Sequence, residues 1–479
     1  MKDLLIGLDQ GTTGTTVLIV DRALKVVGRA TASFPQHFPE PGWVEHEPGE
    51  IWDSVLQALG EATADLDPAR FAALGLTNQR ETTFVWDAAT GEEVGRAIVW
   101  QDRRTTEICQ ALKPHEAEVR AATGLPLDPY FSATKLKWIL DRHPGRALAF
   151  GTSDAWLLHR LTGHHATDPS NASRTQLFDL RTGAWSADLR RRFGMPPVAM
   201  PEVRASTGDF GTVRGVPGLP EGLPVRGIAG DQQAALFGQG CHHPGQAKLT
   251  YGTGSFVLLN TGAQRVESTR GLLTTVAWRV GEASTFALEG GSFVAGALVQ
   301  WLRDGLGIID SAAEVEALAR SVPDAGGVIV VPALAGLGAP HWRPEARGLI
   351  HGITRGTTSA HLARAALEGI AHAQADILET MAQERGGPLT ELRVDGGAAA
   401  NDLLMQLQAD LLGIPLLRPK LLETTALGAA MLAGLGAGAF ADVAALEGAY
   451  PLDRRFEPHA DPEAVRASRS RWKDVVAKA

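Results

Sequence analysis

Leu4-Leu5-Ile6-Gly7-Leu8-Asp9-Gln10-Gly11-Thr12-Thr13-Gly14-Thr15-Thr16-Val17-Leu18-Ile19-Val20 decides the fold class. Leu4 to Asp9 reads as a buried strand that ends in an acid. Gln10 to Gly14 is a turn, and Thr15 to Val20 is a second strand rich in β-branched residues. The same grammar returns in the second half. Lys248-Leu249-Thr250-Tyr251 leads into Gly252-Thr253-Gly254, and Ser255 to Asn260 follows as a strand. Two Gly/Thr hairpins, one early in each half, predict a duplicated domain.

Working outward, Lys25 to Ser33 is expected to be a third strand. Residues 48–66 are expected to form a helix, with Ile51, Trp52, Val55, Leu56 and Leu59 on one face. Ala73 to Thr77 is a short strand that runs into the polar cluster Asn78-Gln79-Arg80-Glu81. Strands and helices then alternate, which indicates an α/β protein. The stretch Leu392 to Asn401 reads as strand, glycine turn and helix start, and its turn presents free N–H groups that favour anions. The boundary between the halves is expected within Gly238 to Gln246, and the more charged tail beyond about residue 440 is expected to add helix.

Bulk properties narrow the function classes. At 479 residues the chain is too long for one core, so two or three domains are expected. A formal net charge of -9 argues against nonspecific nucleic-acid binding. Two cysteines, Cys109 and Cys241, provide neither a disulfide framework nor a zinc pattern, which fits a reducing cytoplasm. Residues 1–20 carry Asp3 and Asp9 and lack a leader-type apolar run. Thr424 to Ala441 is uncharged and about long enough to cross a bilayer. Its Ala, Gly and Thr content instead predicts a buried, close-packed helix, and no membrane span is expected.

A site that moves a phosphoryl group needs donors around the phosphates, a carboxylate for a metal ion, and a group that orients the acceptor hydroxyl. No Gly-Lys pair occurs, so a P-loop is excluded. The turn after Asp9 offers backbone N–H groups and threonine hydroxyls, with Asp9 placed to hold a metal through water. A plain hairpin is the competing reading, and the second hairpin at Gly252 to Gly254 weakens it. Asp231 follows the short strand Arg226 to Ala229 and precedes an apolar helix; it is either a helix N-cap or a cleft carboxylate that takes a hydroxyl proton. Arg80 and Glu81 supply donors and acceptors for a polyol, or else form a hairpin salt bridge, which is worth little. Trp100, Tyr130 and Phe256 are aromatic candidates to pack against a carbon backbone.

Together these residues resemble the FGGY carbohydrate kinases. The likeness runs from about residue 4 to 440, in order: DQGTT (9–13), TNQRETT (77–83), IVWQDRR (98–104), DPYF (128–131), NASRT (171–175), AGDQQAALFGQ (229–239), YGTGSF (251–256), GLGAPHW (336–342) and DGGAAAN (395–401). TNQRETT and GDQQ resemble the glycerol-phosphorylating members rather than the pentulose-phosphorylating ones. The resemblance implies an actin-like (ribonuclease H-like) α/β fold, two duplicated domains around a central cleft. It implies residues 1–239 as the polyol half, 240–440 as the nucleotide half, and 441–479 as a helical tail packed on the second.

It further implies ATP, Mg²⁺ and glycerol as ligands, and a homodimer or homotetramer. Arg80, Glu81, Tyr130, Asp231 and Gln232 would bind glycerol, walled by Trp100 and Phe256, with Asp231 as the base. Thr12, Thr13, Gly14, Thr253 and Gly254 would hold phosphates, Asp9 would lie near Mg²⁺, and Gly296, Gln300, Gly397 and Asn401 would line the nucleoside pocket. Two departures stand out. Family members often carry an arginine where this chain has Thr16, and the loop Gly211 to Gly222 matches the family's sugar-bisphosphate loop poorly. Two rival readings stay open on the residues alone: a kinase of the same fold for another small polyol or ketose, and a non-catalytic ATP-binding regulator.

Overall fold

In a computed structural model of the chain, residues 2–343, 345–448 and 451–479 are described. Strands β1 (Leu4–Gln10), β2 (Gly14–Val20) and β3 (Val26–Ser33) form an antiparallel meander. β4 (Phe71–Asn78) and β5 (Val225–Gly230) lie parallel to β1 on its other side, so the sheet order is β5-β4-β1-β2-β3. Alternation sorts the strand faces. Leu4, Ile6 and Leu8 pack against helix α1 (Pro48–Thr63) through Ile51, Val55 and Leu59. Leu5, Gly7 and Asp9 point the other way, toward the second half.

That half repeats the plan. Helix α2 (Asp231–Gly238) leads to β6 (Gln246–Tyr251), β7 (Ser255–Gly262), β8 (Leu273–Val280) and β9 (Ala283–Ser292), then helix α3 (Gly296–Asp304). Helix α4 (Ser359–Arg385), β10 (Glu391–Asp395), helix α5 (Asp402–Leu412), β11 (Leu416–Pro419) and helix α6 (Thr424–Gly436) follow. The central order β9-β7-β6-β10-β11 has the same directions as β3-β2-β1-β4-β5: three antiparallel strands, then two parallel to the first. β8 extends one edge and β12 (Leu452–Phe456) the other. The duplication expected from the two Gly/Thr hairpins is therefore present at the level of topology.

The two halves meet through exchanged helices. α2 follows the first sheet in the chain, yet its Leu236 and Phe237 join a core with Leu258, Trp278 and Ala287 of the second sheet. α6, which by chain position belongs to the second proposed unit, is seated on the first sheet. Gly7, Gly75 and Gly227 are register mates on β1, β4 and β5, and all three lie beneath it. A Cβ on Gly75 would sit 2.6 Å from the carbonyl carbon of Ala429, and one on Gly227 would sit 2.8 Å from that of Leu432. The missing side chains let the helix backbone rest directly on the sheet. This explains the Ala, Gly and Thr content of the uncharged stretch at 424–441. Among the described residues no helix is long and apolar enough to cross a membrane.

The tail beyond residue 440 adds strand β12 as well as helix α7 (Pro462–Val476); Ala449 and Tyr450 lie outside the described residues. α7 docks on α4 through a buried polar cluster. Asp376 accepts from Arg469 Nη2 at 2.6 Å, Trp472 Nε1 at 2.8 Å and His341 Nε2 at 2.9 Å.

Candidate active site

The cleft lies at the C-terminal ends of β1, β4 and β5, where the first sheet runs past α6. β4 ends at Asn78, and the chain turns sharply through Gln79, Arg80 and Glu81. Glu81 holds a left-handed backbone, φ +62°, which is costly for a residue with a Cβ and is maintained by its surroundings. Its carbonyl is held by the Ser132 hydroxyl at 3.0 Å. The turn aims both side chains inward, where they are almost wholly buried.

Four charges interlock there. Glu289, on β9, receives Arg80 Nη1 at 2.5 Å and Arg80 Nη2 at 3.0 Å, and Arg174 Nη2 at 3.1 Å. Arg174 Nε donates to Glu81 at 2.6 Å. Burial alone would raise the Glu289 carboxyl, but Arg174 and Arg80 pull it down to about 2. Burial works against the Arg80 charge, yet Glu289 and Glu81 hold its pKa well above the usual value. Burial pushes the Glu81 carboxyl up, and Arg174 and Arg80 only partly reverse this. The hairpin salt bridge between Arg80 and Glu81 is present at 4.0 Å, but it is buried and each partner makes a shorter contact elsewhere, Arg80 with Glu289 and Glu81 with Arg174.

Asp231 is the first helical residue of α2; Gly230 occupies the N-cap position. The side chain of Asp231 therefore does not cap the helix from outside. It pairs with Arg80 Nε at 3.1 Å and accepts the Gln232 N–H at 2.7 Å, and it keeps 30% of its side-chain surface open. Burial raises its carboxyl pKa against the pull of Arg80. Beside it, Lys248 donates to Gln232 Oε1 and, at 2.9 Å, to Thr250 Oγ1. Tyr130 stands edge-on to Trp100 at 5.6 Å, and its ring lies 5.6 Å from the Arg174 guanidinium. Trp100 Nε1 donates to Thr12 Oγ1 at 3.0 Å, which ties the aromatic wall to the first hairpin. Phe256 is opposite Gly291 in register, two residues along β9 from Glu289 and on the same face.

Asp9 is the penultimate residue of β1, beside this cluster. Its Oδ1 is buried with no protein partner, and burial together with the charge of Asp231 pushes its carboxyl up to about 8. A carboxylate with a buried, unpartnered oxygen fits a cation. Among the described residues no group of three or more His, Cys, Asp or Glu side chains gathers as a metal cage. One carboxylate completed by water and phosphate is a donor set that suits Mg²⁺.

The second hairpin and its neighbours form the other wall. Thr253 is exposed and Gly254 half-buried. Gly296 N donates to Gly252 O at 2.9 Å and Ala295 N to Thr253 O at 2.8 Å, so α3 starts against this turn. Gly396, φ +88°, abuts Tyr251, and a Cβ there would lie 2.9 Å from its nitrogen. That contact seats Gly397 beside the same hairpin, with an open side toward solvent. The Asn401 side chain caps α5 by accepting Leu404 N–H at 2.9 Å. Gln300 is exposed on α3, one turn beyond Gly296. Gly14 closes the first turn, its carbonyl accepting Gly11 N–H at 2.9 Å, and Thr13 is exposed beside it.

Arg174, Glu289 and Lys248 were not singled out from sequence. A charged residue inside the otherwise apolar run Phe286 to Gly290 was the available signal for Glu289. Arg174 stood within NASRT, but nothing local pointed to its partners, which lie 93 and 115 positions away.

Models of the FGGY carbohydrate kinases match the N-terminal domain over residues 4–238 and the C-terminal domain over 247–437. The chain belongs to the FGGY family. A curated glycerol kinase from Myxococcus xanthus is 54% identical over 490 residues, covering 99% of both chains. A glycerol kinase from Alkalilimnicola ehrlichii is 52% identical, covering 99% of this chain and 98% of that one. Among solved structures, Plasmodium falciparum glycerol kinase with ADP superposes with a TM-score of 0.94 at 33% identity, over 99% of this chain and 98% of that one. These FGGY relatives carry the actin-like class expected from the motifs.

Proposed function

We propose that the chain transfers the γ-phosphoryl group of ATP to glycerol, giving sn-glycerol 3-phosphate and ADP. The observation that carries this reading is the buried Arg80–Glu81 pair with the half-open Asp231 beside it, next to Asp9, whose Oδ1 has no protein partner. A small neutral polyol needs fixed donors and acceptors, and an ATP-driven switch has no use for them. The glycerol kinases to which the chain is 52–54% identical support the same substrate.

In this mechanism Arg80, Glu81, Tyr130 and Gln232 hold the hydroxyls, and Trp100 and Phe256 cover the carbon face. Thr12, Thr13, Gly14, Thr253 and Gly254 present N–H and hydroxyl donors to the phosphates. Gly296, Gln300, Gly397 and Asn401 border the nucleoside. Asp9 would hold Mg²⁺, which when bound neutralises phosphate charge. The acceptor oxygen attacks in line, the bond to ADP breaks, and the hydroxyl proton passes to Asp231. In a loose transition state that transfer comes late, so Asp231 chiefly orients the hydroxyl. The arginine pair and the aromatic wall keep water, a competing acceptor, away from the phosphoryl group. A homodimer or homotetramer belongs to the same proposal and is read by light scattering.

The test is ADP release with glycerol, ATP and Mg²⁺, run beside Asp231→Asn. Glycerol-dependent turnover is expected in the parent. In the variant it should fall roughly 10²- to 10⁴-fold while ATP still binds. A folded, ATP-binding parent without glycerol-dependent turnover would overturn the assignment.

A further inference from the structure

The polyol pocket contains two arginines that, left alone, would make a carboxylate receptor. Planar guanidinium forks recognise carboxylates in two-point fashion. Arg80 presents such a fork and Arg174 a further N–H beside it, and one carboxylate already fills both: Glu289 sits within 2.5–3.1 Å of three of their nitrogens. Glu289 comes from β9 of the second sheet, whereas Arg80 and Arg174 belong to the first half. The cluster is inaccessible to water, with Arg174 fully buried and Glu289 nearly so. Its charge is therefore screened by salt far less than that of a surface pair. Arg174 Nη1 remains buried without a protein partner. A neutral hydroxyl satisfies that donor without adding charge.

We propose that Glu289 is a specificity-determining residue, a built-in carboxylate that occupies the Arg80–Arg174 receptor and so closes the pocket to anionic three-carbon acids while admitting a neutral polyol. The inference rests on the reading of this pocket as the polyol site. With Glu289 in place, a second carboxylate would meet Glu81, Glu289 and Asp231 and find the forks taken. With Glu289 neutralised to Gln, an amide still fills the space, but Arg80 and Arg174 then face only the charges of Glu81 and Asp231, and the carboxylate they shared is gone. Tyr130 stays near Arg174 in either case, so the shape of the pocket is kept while its charge changes.

The experiment measures calorimetric binding of glycerol and of D-glycerate, which replaces one terminal carbinol with a carboxylate. The proteins are the parent, Glu289→Gln, Glu289→Asp and the double variant Glu289→Gln/Arg174→Gln, each with its fold checked by circular dichroism. In Glu289→Gln the ratio of glycerate to glycerol affinity should rise roughly 10- to 100-fold, the range of a charge-assisted bond gained. Glu289→Asp keeps the charge but shortens its reach, and should shift the ratio the same way by less. The double variant removes one charge of each sign and should return the ratio toward the parent's. Should Glu289→Gln fail to fold, the Asp and double variants carry the same comparison. An unchanged ratio, or parallel weakening of both ligands, overturns the proposal and leaves Glu289 a structural ion. The readout is binding, so a parent that binds glycerol but does not turn it over would sink the kinase assignment and leave this test intact.

Discussion

Alanine at Gly75 and alanine at Gly60 are the same chemical change with opposite expected effects. Gly75 lies on β4 in the middle of the glycine row beneath α6. Its added Cβ would meet the Ala429 carbonyl carbon at 2.6 Å and the Ala433 Cβ at 3.1 Å. Carbon atoms in contact sit about 3.5–4.0 Å apart, so α6 would have to lift by roughly 1 Å. It cannot do so locally, because it is pinned on both sides. A Cβ on its Gly428 would lie 3.0 Å from Gly238 N of α2, and one on Gly7 would lie 3.2 Å from Ala430 N. Overpacking of a tight core costs about 1–3 kcal/mol and more where backbone meets backbone. We therefore expect Gly75→Ala to lose at least about 3 kcal/mol. Gly60 is exposed in α1, and a Cβ there meets nothing within 4 Å. Alanine there should add about 0.5–1 kcal/mol from helix propensity alone. Urea unfolding of both variants reads the difference, and glycerol-dependent ADP release reports whether the cleft is also disturbed. A Gly75→Ala protein within 0.5 kcal/mol of the parent would refute the claim that α6 rests on bare sheet backbone.

Two further predictions concern buried carboxylates. Burial pushes the Asp154 carboxyl up to about 7, against hydrogen bonds from Thr152 and Thr167, both at 2.5 Å. The folded protein thus keeps a proton that the unfolded chain releases above about pH 4. The stability Asp154 contributes is complete below that value and is lost as pH rises through about 7. Asp154→Asn should therefore gain on the parent between pH 4 and 8, by up to about 4 kcal/mol; parallel stability–pH curves for the two proteins would contradict this. Asp376→Asn removes the charge that Arg469 meets from α4 and weakens the seat of α7. A loss of about 3 kcal/mol is expected by denaturant titration. No measurable loss would mean that Glu379, 2.9 Å from Arg469 Nε, anchors the helix alone.

The hairpins were legible because their chemistry is local. A strand, a Gly/Thr turn and a second strand occupy seventeen consecutive residues, and alternation alone assigns their faces. Arg80, Glu81 and Asp231 were legible for a related reason: each stands at the end of an apolar strand, where an acid or a base is out of place unless something uses it. The nature of the Arg80–Glu81 pair was not legible. Sequence offers two neighbouring charges, and only the fold shows that neither primarily serves the other, since Arg80 is spent on Glu289 and Glu81 on Arg174. Helix exchange was hidden too. Nothing local in Thr424 to Gly436 says that it will sit on a sheet more than 190 residues earlier in the chain, although its small residues did announce a close backbone approach.

The placement of polar and apolar contacts across the junction follows from what the cleft has to do. At its base, α2 and α6 cross with glycine against backbone, and Phe237, Leu258 and Trp278 fill the space between the sheets. Such a contact tolerates little change in separation but has no long side chains to disengage when one half rocks on the other. The two halves also meet through a buried ion cluster, with Glu289 of the second sheet locked onto Arg80 and Arg174 of the first half. Parting that ion cluster would expose buried charges to water, which costs far less than leaving them buried and unpaired. The halves are thus joined by ionic contacts that water could replace on parting and by apolar contacts that it could not. An opening motion is therefore expected to break the ion cluster before the apolar contacts, and Arg80 and Glu81 of that cluster are among the residues assigned to the acceptor.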